Sequence, residues 1–393
     1  MTDAPFARKQ LIFLLLLLTG IFFVNFLSRV VLSPLLPVIE KDLGLGHAAA
    51  GGFFMVIAVG YSVGLFGSGF ITSRLTHRKT IALAALVGGL AFLLIAASQA
   101  IWLIRIGLFF LGISTGLYLP SGMTMITSSI PSNHWGKALA VHELAPSLAY
   151  LSAPLIVEAL LVVSPWPTII GLIGGAALIL GLAFFRFAPG GNFTGEAPTL
   201  GNIRLLAGTP SFWIMVVLFC PALAASIGIY SMMPLYLVAE RGFDRGTANT
   251  LIGLSRLPVI AMALVSGWIS DRFGPKPTIT MVLLFNGLTA ILLGVLPGRW
   301  VILVVLIQPM LQVCFFPAGF TILSRIVPAR ARSLSIAMTM FIAYLGGAGA
   351  IPIILGAFGD AGAFGLAFIL IGCITLLSAI LLPRLELRKP GVE

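Results

Sequence analysis

Apolar residues in this chain gather in long blocks instead of the one-sided stripes of a soluble helix. Twelve blocks run near residues 11–37, 50–73, 80–98, 101–130, 138–162, 168–186, 209–238, 247–270, 278–297, 301–327, 334–358 and 364–383. A helix needs about 20 apolar residues to cross the hydrocarbon core of a bilayer, so each block predicts one spanning helix. Arg8-Lys9 followed by Leu11 to Leu18 has the outline of a secretory leader. No small-residue cleavage site follows it, and the apolar run continues to Pro37, which makes it the first span. The pattern predicts an all-α integral membrane protein of twelve transmembrane helices.

The blocks are written twice. Pro120-Ser-Gly-Met-Thr-Met-Ile126 returns as Pro317-Ala-Gly-Phe-Thr-Ile-Leu323, and Gly69-Phe-Ile-Thr-Ser-Arg-Leu-Thr76 returns as Gly267-Trp-Ile-Ser-Asp-Arg-Phe-Gly274, at offsets of 197 and 198 residues. Pro154 and Pro352 repeat the offset of 198. A shift of half the chain predicts two pseudo-symmetric six-helix bundles, residues 1–187 and 209–393, joined by a Gly- and Pro-rich linker at 188–208. Repeats of this kind in a membrane protein point to alternating access between two halves.

Composition agrees with a bilayer as the solvent. Hydrophobic residues make up 59% of the chain and charged residues 9%, with a mean hydropathy of +1.11, where a soluble domain has about 25% charged residues. The net charge of +11 is spread over short loops, which argues against nucleic acid as a partner. Sixteen basic residues fall on the side of the termini: Arg8, Lys9, Arg74, Arg78, Lys79, Lys137, Arg186, Arg204, Arg272, Lys276, Arg325, Arg330, Arg332, Arg384, Arg388 and Lys389. Four fall on the other side, Lys41, Arg241, Arg245 and Arg299. Retained Lys and Arg mark the cytoplasmic face, so both termini are expected in the cytoplasm of a bacterium, with the protein a monomer in the inner membrane. Cys220, Cys314 and Cys373 have neither disulfide nor metal spacing, and no cofactor is expected. No nucleophile, base and acid assemble into a catalytic set, so an enzyme is not expected.

The second loop motif, Gly267-Trp-Ile-Ser-Asp-Arg-Phe-Gly-Pro-Lys-Pro-Thr278, resembles the loop between helices 8 and 9 of the major facilitator superfamily. That pattern is a Gly, an Asp-Arg pair after three intervening residues, then Gly and basic residues. The resemblance implies a gating role for Gly267, Asp271 and Arg272, and for Arg74 and Arg78 in the first copy. The first copy departs from the pattern, with Ser73 in place of the acid and Thr76 in place of the second glycine. It also implies that helices 3, 6, 9 and 12 face lipid while 1, 4, 7 and 10 line the cavity.

Ionisable groups inside a membrane are costly and mark candidate function. They are Arg29 on helix 1, Arg105 on helix 4, His142, Glu143 and Glu158 on helix 5, and Arg256 on helix 8. Counting from Pro37 and Asp271 at about 1.5 Å per residue puts Arg29 about 12 Å below the outer surface and Arg256 about 22 Å above the inner one. The two lie at similar depth in opposite repeats, and a guanidinium presents paired donors that suit a carboxylate or phosphate. Asn25, Tyr61, Tyr230, Gln308 and Gln312 supply further donors, and Arg105 either joins them or forms a structural ion pair with Glu158. His142 and Glu143 are the proton-coupling candidates. This set predicts a secondary transporter of a small organic anion, with proton symport favoured over facilitated diffusion or anion exchange, both of which stay open. The alternative is a multidrug or hydrophobic-cation proton antiporter, which would use Glu143 or Glu158 as its membrane-embedded acid.

Overall fold

The computed structural model describes residues 8–131, 134–195, 200–328 and 331–386. Arg330, Arg388 and Lys389 and the middle of the linker, residues 196–199, lie outside that set. Among the described residues eleven helices are long and apolar enough to cross a membrane: α1 (Arg8–Leu43), α2 (His47–Arg74), α3 (His77–Ala96), α4 (Ile101–Ser129), α5 (Trp135–Leu161), α6 (Trp166–Phe187), α7 (Pro210–Ala239), α9 (Pro275–Val295), α10 (Gly298–Arg325), α11 (Leu334–Asp360) and α12 (Phe364–Arg384). The remaining span, α8, is the pair Arg245–Ala263 and Val265–Phe273, bent by 53°. A short helix, Leu200–Ala207, precedes α7.

The boundaries follow the apolar blocks closely except at the end of α1. Pro37 sits inside the helix, which runs on to Leu43 after a break at Val31. Pro34 causes that break, because a proline has no N–H to give the carbonyl four residues back. Arg29 therefore lies fourteen residues from the helix end, about 21 Å instead of about 12 Å.

Two compact units emerge. One comprises Met1–Val31, Val59–Ala153 and Ala159–Ala197; the other comprises Leu32–Ala58, Pro154–Glu158 and Pro198–Glu393. In the first, α3 and α6 pack at glycines: a Cβ on Gly174 would sit 2.9 Å from the Gly89 carbonyl oxygen. In the second, α9 and α12 do the same at Gly287 and Gly372, each 198 residues further on, where the approach would be 2.6 Å. Small residues let backbones approach where water supplies no hydrophobic drive between helices.

Helices 7 and 11 meet through two widened turns, π-helical at Ala224–Gly228 and Tyr344–Ala350. A Cβ on Gly228 would stand 2.5 Å from the Gly347 carbonyl oxygen.

These contacts separate two kinds of glycine. Gly372→Ala should lower the melting temperature in detergent by several degrees, the consequence of about 1–3 kcal/mol of overpacking. Gly267→Ala should leave it unchanged, since a Cβ there meets nothing within 4 Å. Equal melting temperatures for the two variants would remove close packing as the reason for Gly372.

Candidate functional site

Both membrane arginines stand at interruptions of their helices. Arg29 ends the last turn before Val31. Arg256 lies in the Ser255-Arg256 turn of α8, where Pro258 cannot donate to the Leu254 carbonyl, and the Arg256 amide donates to Gly253 O at 3.0 Å. The Arg29 guanidinium lies 4.3 Å from the centre of the Phe26 ring and 5.0 Å from that of Tyr61 on α2. The Arg256 guanidinium lies 4.7 Å from the Tyr230 ring on α7. Helices 7 and 8 are the repeats of helices 1 and 2, so each unit pairs an arginine with a tyrosine across equivalent helices, with the two roles exchanged. A stacked guanidinium is attracted to the ring and keeps its N–H groups in the plane in which a carboxylate meets them.

The other proposed ligands fall into different settings. Asn25 lines a cavity of about 20 Å³ with Ser28, Ser114, Ala84, Gly88 and Phe92 among its neighbours, inside the first unit. Its buried Oδ1 has no hydrogen-bond partner among the described residues, and the space is that of about one water molecule. Gln308 and Gln312 are buried, and their amides donate to Ala225 O at 3.2 Å and Ala222 O at 2.9 Å. They brace α10 against the widened turn of α7. Tyr61 and Tyr230 hold the two arginines as described.

His142 is wholly buried. Its Nε2 lies 3.0 Å from the Tyr118 hydroxyl and its Nδ1 3.3 Å from Glu143 Oε1. Phe22 of α1 stacks on the imidazole, with centres 4.3 Å apart and planes within 7°. Phe22 in turn meets Phe26 at 6.2 Å, so a row of rings on α1 joins the imidazole to the ring under Arg29. Tyr118 and the two phenylalanines carry no charge, so the pattern of membrane-embedded charge in the sequence does not mark them.

Arg105 and Glu158 do not pair. Arg105 is exposed at the start of α4, whereas Glu158 is held from α8: Arg245 Nε donates to its Oε1 at 3.0 Å and Nη2 to its Oε2 at 3.3 Å. Asn249 adds a bond of 2.6 Å to Oε1 and another of 3.2 Å to the Pro34 carbonyl. That carbonyl lies beyond the proline break of α1. Nearby carboxylates close other helix ends. Asp360 accepts from the His47 and Ala48 amides at the start of α2, and Glu240 from Phe364 and Gly365 at the start of α12. Asp244 caps α8, where hydrogen bonds from Thr247 hold its carboxyl below the usual range.

The loop motifs lie at the other helix ends. Arg74, Asp271, Arg272 and Gly267 are exposed. Arg78 Nη2 donates to the Phe185 carbonyl at the end of α6 at 2.6 Å, and Lys276, 198 residues later, donates to the Leu385 carbonyl just beyond α12 at 2.6 Å. The two basic residues anchor equivalent helix ends, where a cation also opposes the negative end of the dipole. The departure at Thr76 has a local cause. Gly274 has φ +87°, which favours glycine, whereas Thr76 has φ −73° and accepts from the Lys79 amide to cap α3. Residues 191–195 of the linker bond to this first loop, His77 N to Phe193 O, Arg78 N to Gly191 O and Gly195 N to Thr72 O.

The Glu158 cluster joins α5 to α8 and to α1. Replacing Glu158 with Gln should cost about 1–2 kcal/mol of stability and lower the melting temperature in detergent by a few degrees. An unchanged melting temperature would show that the carboxylate does not hold this cluster together.

Comparison with known proteins agrees with this architecture. The chain is 26% identical to the glucose transporter GlcP of Staphylococcus epidermidis over 47% of its length and 41% of that protein, less than half of the relative. It is 23% identical to a probable sulfoacetate transporter, SauU, of Cupriavidus necator, over 70% of this chain and 69% of that one. It is 25% identical to a gallate transporter of Pseudomonas putida, over 77% and 75%. Its fold matches the crystal structure of a bacterial homologue of the human lysosomal transporter Spinster, in an inward-facing and occupied conformation, with a TM-score of 0.84 at 15% identity over 98% of this chain and 100% of that one. The family model of the Major Facilitator Superfamily matches residues 18–350 and again 243–393. With twelve spans, two glycine-packed repeats and this match, the chain belongs to the Major Facilitator Superfamily of membrane transporters.

Proposed function

We propose that the protein is a secondary active transporter that moves a small organic anion of the carboxylate type across the membrane by alternating access, with proton symport. The observation that carries this reading is one arginine per repeat, each at a proline-induced helix break and each laid on a tyrosine ring. Arg29 and Arg256 bind the anion, and Tyr61 and Tyr230 orient them. His142 and Glu143 carry the proton. Residues 1–187 and 209–393 act as the two moving halves, with the loops around Arg74, Arg78, Gly267, Asp271 and Arg272 gating one face. The distribution of basic residues supports cytoplasmic termini in a bacterial inner membrane.

The names of the sulfoacetate and gallate transporters support an anionic substrate; that of the glucose transporter points to a polyol, for which stacked arginines are a poor match. A hydrophobic-cation antiporter would need a membrane acid for its substrate. Glu158 is engaged by Arg245 and Asn249, which leaves Glu143 for that role.

Ligand stabilisation tests the charge class. Gallate and sulfoacetate should raise the melting temperature of the purified protein by several degrees, since a ligand at about 100 times its Kd adds about 2.7 kcal/mol. Glucose and tetraphenylphosphonium should not. Arg29→Lys and Arg256→Lys keep the charge but lose the planar fork, and should abolish both stabilisation and uptake into proteoliposomes. Stabilisation by the lipophilic cation alone, or normal uptake by either lysine variant, would overturn the assignment.

Coupling is tested separately. Glu143→Gln should lose accumulation driven by a pH gradient yet retain exchange of labelled for unlabelled substrate. Gradient-driven accumulation at the level of the unaltered protein would take Glu143 out of the proton path.

A further inference from the structure

We infer that His142 and Glu143 form a single binding site for one shared proton, in which Tyr118 and the Leu18 carbonyl dictate which ring nitrogen meets the carboxylate. The inference rests on the proton-coupled reading above and deepens it. A carbonyl oxygen can only accept, so the Tyr118 hydroxyl, 2.7 Å from Leu18 O, donates its one proton there. The same hydroxyl is then an acceptor towards His142 Nε2 at 3.0 Å, and Nε2 carries a hydrogen. In a neutral imidazole of that tautomer, Nδ1 presents a lone pair. Yet Nδ1 lies 3.3 Å from Glu143 Oε1, and two lone pairs so placed repel. A proton lies between them, drawn either as imidazolium with carboxylate or as imidazole with carboxylic acid. Both drawings hold the same number of protons, and the arrangement is the loaded state.

The surroundings separate the two ends of this site. His142 is wholly buried, while the Glu143 side chain is 51% exposed, so the proton enters and leaves by way of the carboxylate. On release one proton departs, Nδ1 keeps its lone pair and the carboxylate its charge. Their repulsion then drives Glu143 away from the ring. The imidazole itself is clamped. Phe22 stacks on it, and the Phe22 and Tyr118 rings lie 5.3 Å apart with planes 18° from parallel. The titratable groups around the site are few. Helix α1 brings none between Lys9 and Arg29, α4 brings Tyr118, and α5 itself brings Glu143, with Lys137 five residues earlier. On α3, His77 bonds Ser121, three residues beyond Tyr118. Tyr118 acts through His142 and is a positioning residue.

Nitrogen NMR of protein labelled with ¹⁵N-histidine reads the site directly. The chain has four histidines, and the His142 signals are assigned by their loss in His142→Gln. The protein should show Nε2 protonated throughout the titration and a hydrogen-bonded proton at Nδ1 that disappears as one proton is released. In Glu143→Gln the amide can donate to Nδ1 of the neutral imidazole, so that proton signal should persist only at lower pH than in the unaltered protein. Tyr118→Phe should populate the opposite tautomer, with hydrogen on Nδ1, a change that loss of packing alone does not produce. An Nδ1 signal that is the same in Glu143→Gln, or a fixed tautomer in Tyr118→Phe, would overturn the inference. Transport distinguishes the two levels. The expected spectra with uptake indifferent to a pH gradient would sink symport and leave the proton site standing. Gradient-driven uptake with a His142 that never titrates would sink the site and leave symport standing.

Discussion

Backbone hydrogen bonding governs this molecule more than any single contact. In hydrocarbon an unsatisfied N–H or C=O costs several kcal/mol, so a spanning segment leaves helical geometry only where the protein itself supplies partners. The chain does so at Val31, at Ser255-Arg256, at Val313-Cys314 and in the two widened turns of α7 and α11. Polar side chains meet several of the carbonyls near these places. Asn249 meets the Pro34 carbonyl, Gln308 and Gln312 meet the carbonyls of α7, and Ser33 donates to Tyr230 O at 2.8 Å. The two membrane arginines sit at two of these places. Proline, placed two and five residues after them, thus decides where irregular backbone and positive charge coincide.

Charge within the spans is handled in two ways. Arg29 and Arg256 are laid on aromatic faces, whose quadrupole attracts a cation. Glu158, by contrast, is gripped by a bidentate arginine and an asparagine whose second bond goes to backbone. A carboxylate satisfied on both oxygens stabilises the form of the protein that contains it.

Hydropathy and repetition made the twelve spans and the two repeats legible, because lipid imposes the same length on every helix and a repeat imposes the same close approaches. Gly89 with Gly174 and Gly287 with Gly372 are the physical form of the offset of 198. The end of α1 was not legible, since Pro37 reads as a terminator and the break in fact comes earlier, at Val31. The places of Arg105 and Glu158 near the ends of neighbouring helices offer the two to each other as one of two readings of Arg105. The partners of Glu158, Arg245 and Asn249, are 87 and 91 residues away, and no periodicity signals such a distance. Gln308 and Gln312 carry the composition of ligands but meet carbonyls exposed by a turn whose widening leaves no mark on hydropathy. His142 and Glu143 stood out as charges, while Tyr118, which fixes the ring, looked like one more aromatic residue.

The two loop motifs bring repetition and divergence together. Arg78 and Lys276 perform one task at equivalent positions, each tying its loop to the end of the sixth helix of its repeat. The positions between them and the spans have diverged. Gly274 needs the left-handed backbone that a glycine adopts without strain, whereas Thr76 uses an extended backbone and its hydroxyl to start α3. The first loop also bonds linker residues Gly191, Phe193 and Gly195. Ser73, which stands at the place of the acid, thus lies in a loop with fastenings of its own: a side-chain cap on α3 and three backbone bonds to the linker.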